Sequence, residues 1–280
     1  MPQGANILAF RGADSKESSD IHPFVIVVRD PQQLDLWLRD RSPELQWIQV
    51  EGVLEDPEVW ALAAEDTGEV PLDVVLRDPG REFADLYRLV DVRSARDVRV
   101  SMRARPGFFK AVRLAASLGL PVRLLPGQPT AAVLAELHEA LTFYLRNPLV
   151  EAPIEFFHSA LARLRGAPTG SLWRVLEDDP TIYRREPIHT AWGSPPPSDL
   201  TINETQDFAL LFLEQLTTQG AECATCPWRE FCAGYFKWPD AAYSCAGIKL
   251  LFSNLLAAVE EIEEDLRTFA APATDLQASL

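Results

Sequence analysis

The chain has 280 residues, which is enough for roughly two average domains or for one large α/β domain with an appendage. Its 47% hydrophobic and 24% charged residues are typical of a globular protein that buries a core, and its 22 prolines indicate long ordered loops. The formal net charge of −15 repels phosphate backbones and anionic lipid head groups. We therefore expect neither a nucleic-acid-binding role nor a membrane-surface role.

The N-terminal residues carry no targeting signal that we can identify. Residues 1–19 lack the basic region followed by an apolar core that marks a secretory signal. No stretch of the chain reaches the roughly 18 consecutive apolar residues of a membrane helix. We expect a cytoplasmic protein with reduced thiols, in which residues 1–20 are a flexible lead-in.

The first half of the chain alternates short apolar runs with amphipathic helical patterns. The predicted strands are 23–28, 45–50, 71–76, 97–101 and 120–125. The predicted helices between and after them are 32–40, 57–64, 82–90, 108–118 and 131–145. Apolar strands separated by helices favour a parallel sheet covered by helices, either an open doubly wound sheet or part of a (β/α) barrel.

The pattern changes after residue 147, where the chain becomes mostly helical. The predicted helices of this half are 156–164, 171–176, 204–217 and 248–269, and residues 186–200 form a proline-rich loop. We expect a β/α domain over residues 21–150 and a second, cysteine-containing domain over residues 151–280.

All four cysteines of the chain lie within one short segment. Their pattern is Cys223-x2-Cys226-x5-Cys232-x12-Cys245, and the 222 residues before Cys223 contain no cysteine. Two cysteines three positions apart can direct their thiolates to one metal or cluster, and two further cysteines complete a set of four sulfur ligands. The clustering therefore predicts a single cysteine-ligated inorganic centre.

Three interpretations of this pattern compete. Disulfide bonds suit small secreted domains, not a long acidic chain without a signal sequence. Structural zinc accepts four cysteines, but its sites usually contain two C-x2-C pairs, and Pro227 lacks the N–H that a glycine would offer at that position. An iron–sulfur cluster is wider than an ion and tolerates unequal spacings, and Cys226-Pro227 is a common dipeptide beside such clusters.

Aromatic residues are concentrated in the same segment. They are Trp228, Phe231, Tyr235, Phe236, Trp238 and Tyr243. These rings could screen a cluster from water, which would tune its reduction potential. Ordinary packing of a small subdomain explains each ring equally well.

The run from Cys223 to Phe236, with the later Cys245, resembles the SPASM domain of radical SAM peptide-modifying enzymes. That family has a C-x2-C-x5-C run and a further cysteine, which together bind an auxiliary [4Fe–4S] cluster. The resemblance implies that Cys223, Cys226, Cys232 and Cys245 are the cluster ligands, and that Gly234 is the family's glycine after the third cysteine. It is specific over about 25 residues, and the fold that it implies is a partial (β/α) barrel-like parallel sheet followed by a mostly helical SPASM-like domain.

The chain departs from that family where the family cleaves SAM. Radical SAM enzymes hold their catalytic cluster with C-x3-C-x2-C after the first strand, and here residues 29–33 contain no cysteine. Residues 51–54 do not reproduce the glycine-rich SAM contact, and Tyr235 and Phe236 stand where a ligand of a second auxiliary cluster would be expected. The resemblance therefore implies a degenerate relative that binds no SAM.

The preferred hypothesis is an accessory protein that carries one [4Fe–4S] cluster. Its expected partner is a radical SAM enzyme, a precursor peptide, or both, and the cluster either relays electrons or stabilises the domain. The alternatives are a zinc-stapled scaffold protein and a stand-alone β/α enzyme of unknown substrate. The enzyme hypothesis requires polar side chains to converge at the carboxyl ends of the strands, namely Asp30, Glu51, Arg77, Asp78 and Arg103.

Other candidate residues give weaker indications. The four histidines, His22, His138, His158 and His189, lie far apart in the sequence, and His189 is the best placed of them for an accessible role. Arg184-Arg185 is a short basic pair that could hold a substrate carboxylate. The chain contains no dinucleotide, P-loop, zinc-protease or serine-hydrolase motif.

Overall fold

The computed structural model describes residues 6–9, 24–39, 42–43, 45–65, 68, 70–176 and 208–270. Its strands are β1 (Asn6–Ala9), β2 (Phe24–Val28), β3 (Leu45–Glu51), β4 (Leu72–Leu76), β5 (Val98–Arg103) and β6 (Val122–Leu125). All five predicted strands are confirmed. β1 lies within residues 1–20, where the sequence analysis predicted a flexible lead-in and no strand.

The described strands form one sheet in the order of the chain, from β1 to β6. β2 to β6 pair in parallel, whereas β1 pairs with β2 in the antiparallel direction. A doubly wound sheet reverses its strand order at a switch point, and this sheet does not. Because right-handed crossovers in one direction place their helices on one face, the sheet has the winding of a partial (β/α) barrel.

The helices of the first half follow the predicted alternation. They are α1 (Pro31–Leu38), α2 (Pro57–Glu65), α3 (Pro79–Glu82), α4 (Leu89–Ala95), α5 (Phe108–Ser117) and α6 (Ala131–Arg146). The carboxylate of Asp30 caps α1 by accepting hydrogen bonds from the backbone N–H groups of Gln32 and Gln33. The hydroxyl of Thr130 caps α6 in the same manner.

The single helix predicted over residues 82–90 is wrong in its extent. The chain forms α3, then a 3-10 helix over Phe83–Arg88, then α4, so the helical stretch begins earlier and ends later. Pro79 occupies the first helical position, where its fixed backbone angle favours a helix start. Leu89 and Val92 are fully buried, and this packing extends the helix beyond residue 90.

The second half is helical, as predicted. Its helices are α7 (Glu155–Leu164), α8 (Leu172–Leu176), α9 (Phe208–Thr218), α10 (Arg229–Cys232) and α11 (Ala246–Ala270), with 3-10 helices at Glu222–Thr225 and Tyr235–Lys237. Residues 204–207 of one predicted helix, the loop 186–200 and most of the lead-in lie outside the described residues. Ile154, which precedes α7, forms a parallel bridge with Val122 of β6, so the second half begins against the edge of the sheet.

The two faces of the sheet differ in chemistry. One face packs against the helices through fully buried apolar side chains, including Ile26, Ile48, Leu72, Val74, Val100, Val122 and Leu124. Because side chains alternate along a strand, the residues between these point to the other face. Several of those are polar, namely Gln49, Glu51, Asp73, Arg99, Ser101 and Arg123. The apolar sequences of the strands predicted a sheet that is apolar on both faces, but one face of this sheet is partly polar.

One continuous apolar core includes residues from both halves of the chain. The helices that the structure describes include none that has both the length and the apolarity needed to cross a bilayer.

Candidate functional site

The structure brings the four cysteines together around one cavity. Cys223, Cys226, Cys232 and Cys245 all line it, and all four are free thiols. The Glu222–Thr225 3-10 helix carries Cys223, α10 ends at Cys232, and Cys245 immediately precedes α11. The convergence predicted from the cysteine spacing is thus present, and disulfide pairing is not.

Backbone turns bring the first three cysteines to the same side. The N–H of Cys226 donates to the carbonyl of Cys223 over 3.3 Å, which closes the turn between them. After α10, Ala233 and Gly234 both adopt left-handed backbone angles, with φ values of 46° and 76°. A Cβ atom at Gly234 would lie 2.9 Å from the Cδ1 atom of Leu216. Gly234 therefore allows the chain to turn closely against α9.

A charge cluster lies beside the cysteines, in which Lys237 is buried and Glu222 and Lys249 are partly exposed. Glu222 accepts hydrogen bonds from the ammonium groups of Lys237 and Lys249, at 2.8 Å and 2.5 Å, and from the backbone N–H of Cys245 at 3.0 Å. Burial raises the pKa of Glu222, but these hydrogen bonds lower it by more, to about 2. Both lysines line the cysteine cavity, so positive charge faces the position where thiolates would carry negative charge.

Burial holds the thiols in their protonated form. It raises the pKa of Cys223, that of Cys232 to about 11 and that of Cys245 to about 12. Hydrogen bonds from the backbone of Phe236 and Gly234 to Cys232 act in the opposite direction, as does the charge of Lys237 on Cys223 and Cys245. Backbone hydrogen bonds and neighbouring lysines favour thiolates, which a bound metal would require.

The predicted aromatic residues divide between the cavity and the core. Trp228 and Phe236 line the cavity. Tyr235 instead packs edge-on against Trp173, with ring centroids 5.1 Å apart, in the apolar core. Phe252 of α11 also lines the cavity and lies 5.5 Å from Trp228 between ring centroids, and the sequence interpretation did not include it.

The four thiols line one cavity, but within the described residues no three His, Cys, Asp or Glu side chains form a group that could hold a metal ion. A single zinc ion needs all its ligands at about 2.0–2.3 Å from one point. In a [4Fe–4S] cluster each cysteine binds a different iron atom, so its ligands stand further apart.

The cysteine segment is attached to the loop that follows β6. Gln128 in this loop donates to the carbonyls of Phe236 and Asp240, at 3.1 Å and 2.7 Å. The hydroxyl of Tyr243 donates to the carbonyl of Pro129 over 2.8 Å. The cysteine cavity therefore lies beside the carboxyl end of β6, the edge at which β/α proteins place their functional groups.

Part of the polar set expected at this edge does converge. Glu51, at the end of β3, accepts from the Arg29 Nε atom at 2.9 Å and from an Arg77 Nη atom at 3.3 Å. Asp30 instead caps α1, and the backbone N–H of Asp78 donates to the carboxylate of Glu82. Arg103 points to the polar face of the sheet.

A second polar network lies on the face of the sheet opposite the helices. Asp73 of β4 accepts from Arg99 at 2.9 Å and from Ser101 at 2.5 Å, and Arg123 of β6 lies 3.4 Å away. The sequence analysis missed these residues because it treated the strands as apolar runs. The predicted strands β4, β5 and β6 each contain a polar residue between apolar ones, and this alternation could have revealed the network.

The remaining candidates do not join either group. His138 contacts Asn254 at 3.2 Å, and His158 contacts the Tyr144 hydroxyl at 3.1 Å, both on exposed helical surfaces. The other two histidines, His22 and His189, lie outside the described residues, as does Arg184-Arg185.

Comparisons of the chain with protein-family models, with curated proteins and with solved structures found no match.

Proposed function

We propose that this protein is a SPASM-like accessory protein that binds one [4Fe–4S] cluster and does not cleave SAM. It would act in the cytoplasm beside a radical SAM enzyme, a precursor peptide, or both, in peptide maturation. The observation that carries the proposal is that Cys223, Cys226, Cys232 and Cys245 all line one cavity. They have the C-x2-C-x5-C spacing and the later cysteine of that family.

The charges around the cavity are compatible with an anionic cluster. Lys237 and Lys249 line the cavity with the cysteines and supply positive charge toward it. A tetrathiolate [4Fe–4S] centre is anionic, and nearby cations and backbone hydrogen bonds to sulfur stabilise such centres. When bound, the cluster would supply one-electron transfer or hold the segment together.

The absence of SAM cleavage follows from the sequence. No cysteine precedes Cys223, so no three thiolates can bind a catalytic cluster at the strand ends of this chain. The two residues between β2 and α1 are Arg29 and Asp30, and Asp30 is engaged in capping the helix. A reaction that needs SAM cleavage would therefore require a partner enzyme.

Anaerobic purification tests the cofactor. We expect a brown protein that contains about four iron and four sulfide per chain. A colourless protein with one zinc ion would instead establish the zinc-stapled scaffold.

Single substitutions then assign the ligands. Cys226→Ala should lose the iron, whereas Thr225→Ala, at the exposed neighbouring position, should retain it. A Cys226→Ala variant that keeps its full iron content would reject the ligand set. If the iron is lost and the melting temperature of the variant is unchanged, the cluster serves electron relay and not stability.

A stand-alone β/α enzyme is the second candidate function. The convergence of Glu51 with Arg29 and Arg77 at the carboxyl ends of the strands supports it, because active sites of β/α proteins occupy this edge. Turnover of a substrate by the isolated protein, lost in Glu51→Gln and kept in Cys226→Ala, would favour this candidate.

A further inference from the structure

The carboxyl edge of the sheet carries a basic site that stands apart from the cysteine centre. We propose that Arg29 and Arg77, which follow β2 and β4, bind an oxyanion, either a carboxylate or a phosphate group of a small ligand. The proposal does not depend on the cluster, since none of its residues lines the cysteine cavity.

Both arginines are held in place through one buried carboxylate. Glu51, on the strand between them, has a side chain only 3% exposed and accepts from the Arg29 Nε atom at 2.9 Å and an Arg77 Nη atom at 3.3 Å. Its other oxygen accepts from the Gln49 side chain at 3.0 Å. Two guanidinium groups thus share a single carboxylate, which leaves a net positive charge.

The two guanidinium groups keep donors for a ligand. Their side chains are 38% and 54% exposed, and each directs a single N–H group to Glu51. Because a guanidinium group carries five N–H donors in a planar fork, most of the donors of each arginine remain available. This fork matches the two oxygens of a carboxylate or phosphate.

A third arginine lies near Arg77, and the nearby carboxylates of Asp30 and Glu82 accept backbone N–H groups, Glu82 from Arg77 as well as from Asp78. An Arg105 Nη atom donates to the backbone carbonyl of Arg77 over 3.1 Å, so this exposed arginine lies close to the main chain of Arg77. Asp30 accepts two backbone N–H groups of α1, and Glu82 accepts the N–H of Asp78. The exposed Asp78 carboxylate lies over Gly80, at the start of α3.

Gly52 allows the guanidinium group of Arg77 to approach the backbone closely. It has a φ of +73°, and a Cβ atom there would lie 3.1 Å from an Arg77 Nη atom. The guanidinium of Arg77 therefore lies close against Gly52, and a side chain at this position would have to push it slightly aside. Such a preformed basic group is unusual on a chain with a net charge of −15.

Isothermal titration calorimetry of the full chain tests the site with two probes, glutarate and inorganic phosphate. We expect saturable binding of at least one probe, weakened at least tenfold in Arg77→Gln, because a charge-assisted hydrogen bond contributes strongly to affinity. Arg29 remains in this variant to neutralise Glu51, so the fold should persist. Arg105→Gln, a second exposed variant, should weaken binding to a smaller degree.

Arg39→Gln is the matched control, since Arg39 is an exposed arginine that pairs with Asp35 on the same helix turn. It should leave the affinity unchanged. Preference for glutarate would identify a carboxylate ligand, and preference for phosphate a phosphorylated one. No saturable binding of either probe, or equal affinities in Arg77→Gln and the unmodified chain, would overturn the proposal.

Discussion

Gln128 and Asp240 are joined by a reciprocal pair of hydrogen bonds. The Gln128 side-chain amide donates to the Asp240 carbonyl over 2.7 Å, and its oxygen accepts from the Asp240 N–H at 3.3 Å. The two residues are 112 positions apart in the chain. The Gln128 side chain, in the loop after β6, thus bonds to both the N–H and the carbonyl of Asp240, as the backbone of a paired strand would. These bonds attach the cysteine segment to that loop.

Replacing Gln128 with alanine should weaken this attachment. Three hydrogen bonds to the backbone of Phe236 and Asp240 are lost, so we expect a destabilisation of about 1–3 kcal/mol in urea unfolding. The exposed Gln219, just beyond α9, provides the control, and Gln219→Ala should change the stability by less than about 0.5 kcal/mol. Equal effects of the two substitutions would contradict the anchoring role of Gln128.

A comparison of alanine substitutions at two glycines can distinguish the cost of a left-handed backbone angle from the cost of steric overlap. Gly220 and Gly234 both have left-handed angles, but a Cβ atom at Gly220 meets nothing within 4 Å, whereas one at Gly234 lies 2.9 Å from Leu216. Gly220→Ala should cost only the left-handed penalty of about 1–2 kcal/mol. Gly234→Ala should cost about 1–3 kcal/mol more, because it also overpacks the contact with α9. Thermal unfolding measures both, and a smaller effect at Gly234 would disprove the close packing.

Asp73 should make the free energy of unfolding depend on pH in the acidic range. Burial raises the pKa of Asp73, but the charges of Arg123 and Arg99, with hydrogen bonds from Arg99 and Ser101, bring it below its usual range. A depressed folded pKa contributes stability that is complete above the unfolded pKa of about 3.9 and is lost as the pH falls through the folded pKa. Urea titrations below about pH 4 should show this loss.

The Asp73→Asn variant provides the corresponding test at neutral pH. It removes a buried carboxylate that pairs with Arg99 and Arg123, so we expect a cost of about 3–5 kcal/mol at pH 7 and a flatter acid limb. Asp35→Asn, at an exposed ion pair with Arg39, should cost less than about 1 kcal/mol. An acid limb that is as steep in Asp73→Asn as in the unmodified chain would assign the effect to other carboxyl groups.

Metal binding by the metal-free protein should release protons. The pKa of Cys232 is about 11 and that of Cys245 about 12, so these thiols are protonated at neutral pH and must lose their protons to become ligands. Calorimetric titration with Zn²⁺ in two buffers of different ionisation enthalpy should therefore show proton release, with an affinity that rises with pH. The same heat in both buffers would show that the cysteines are not the ligands.

The helices and strands were largely predictable because their signals are local. Asp30-Pro31 marks the start of α1, and the apolar stripe of residues 131–145 matches α6 (Ala131–Arg146). The stretch from Pro79 to Ala95 was predicted less well, since burial of Leu89 and Val92 decides how far its last helix extends. A short sequence window does not contain such long-range packing.

The sequence alone determined that four cysteines occupy a single short segment and that the 222 residues before Cys223 contain none, because composition and spacing are properties of the chain itself. Only the tertiary structure decided which charges surround those cysteines and which strand ends share a carboxylate. Glu222 meets Lys237 and Lys249, and Glu51 meets Arg29 and Arg77, across separations that no sequence period marks. The physical reason is that such contacts depend on the sheet order and on the packing of distant elements.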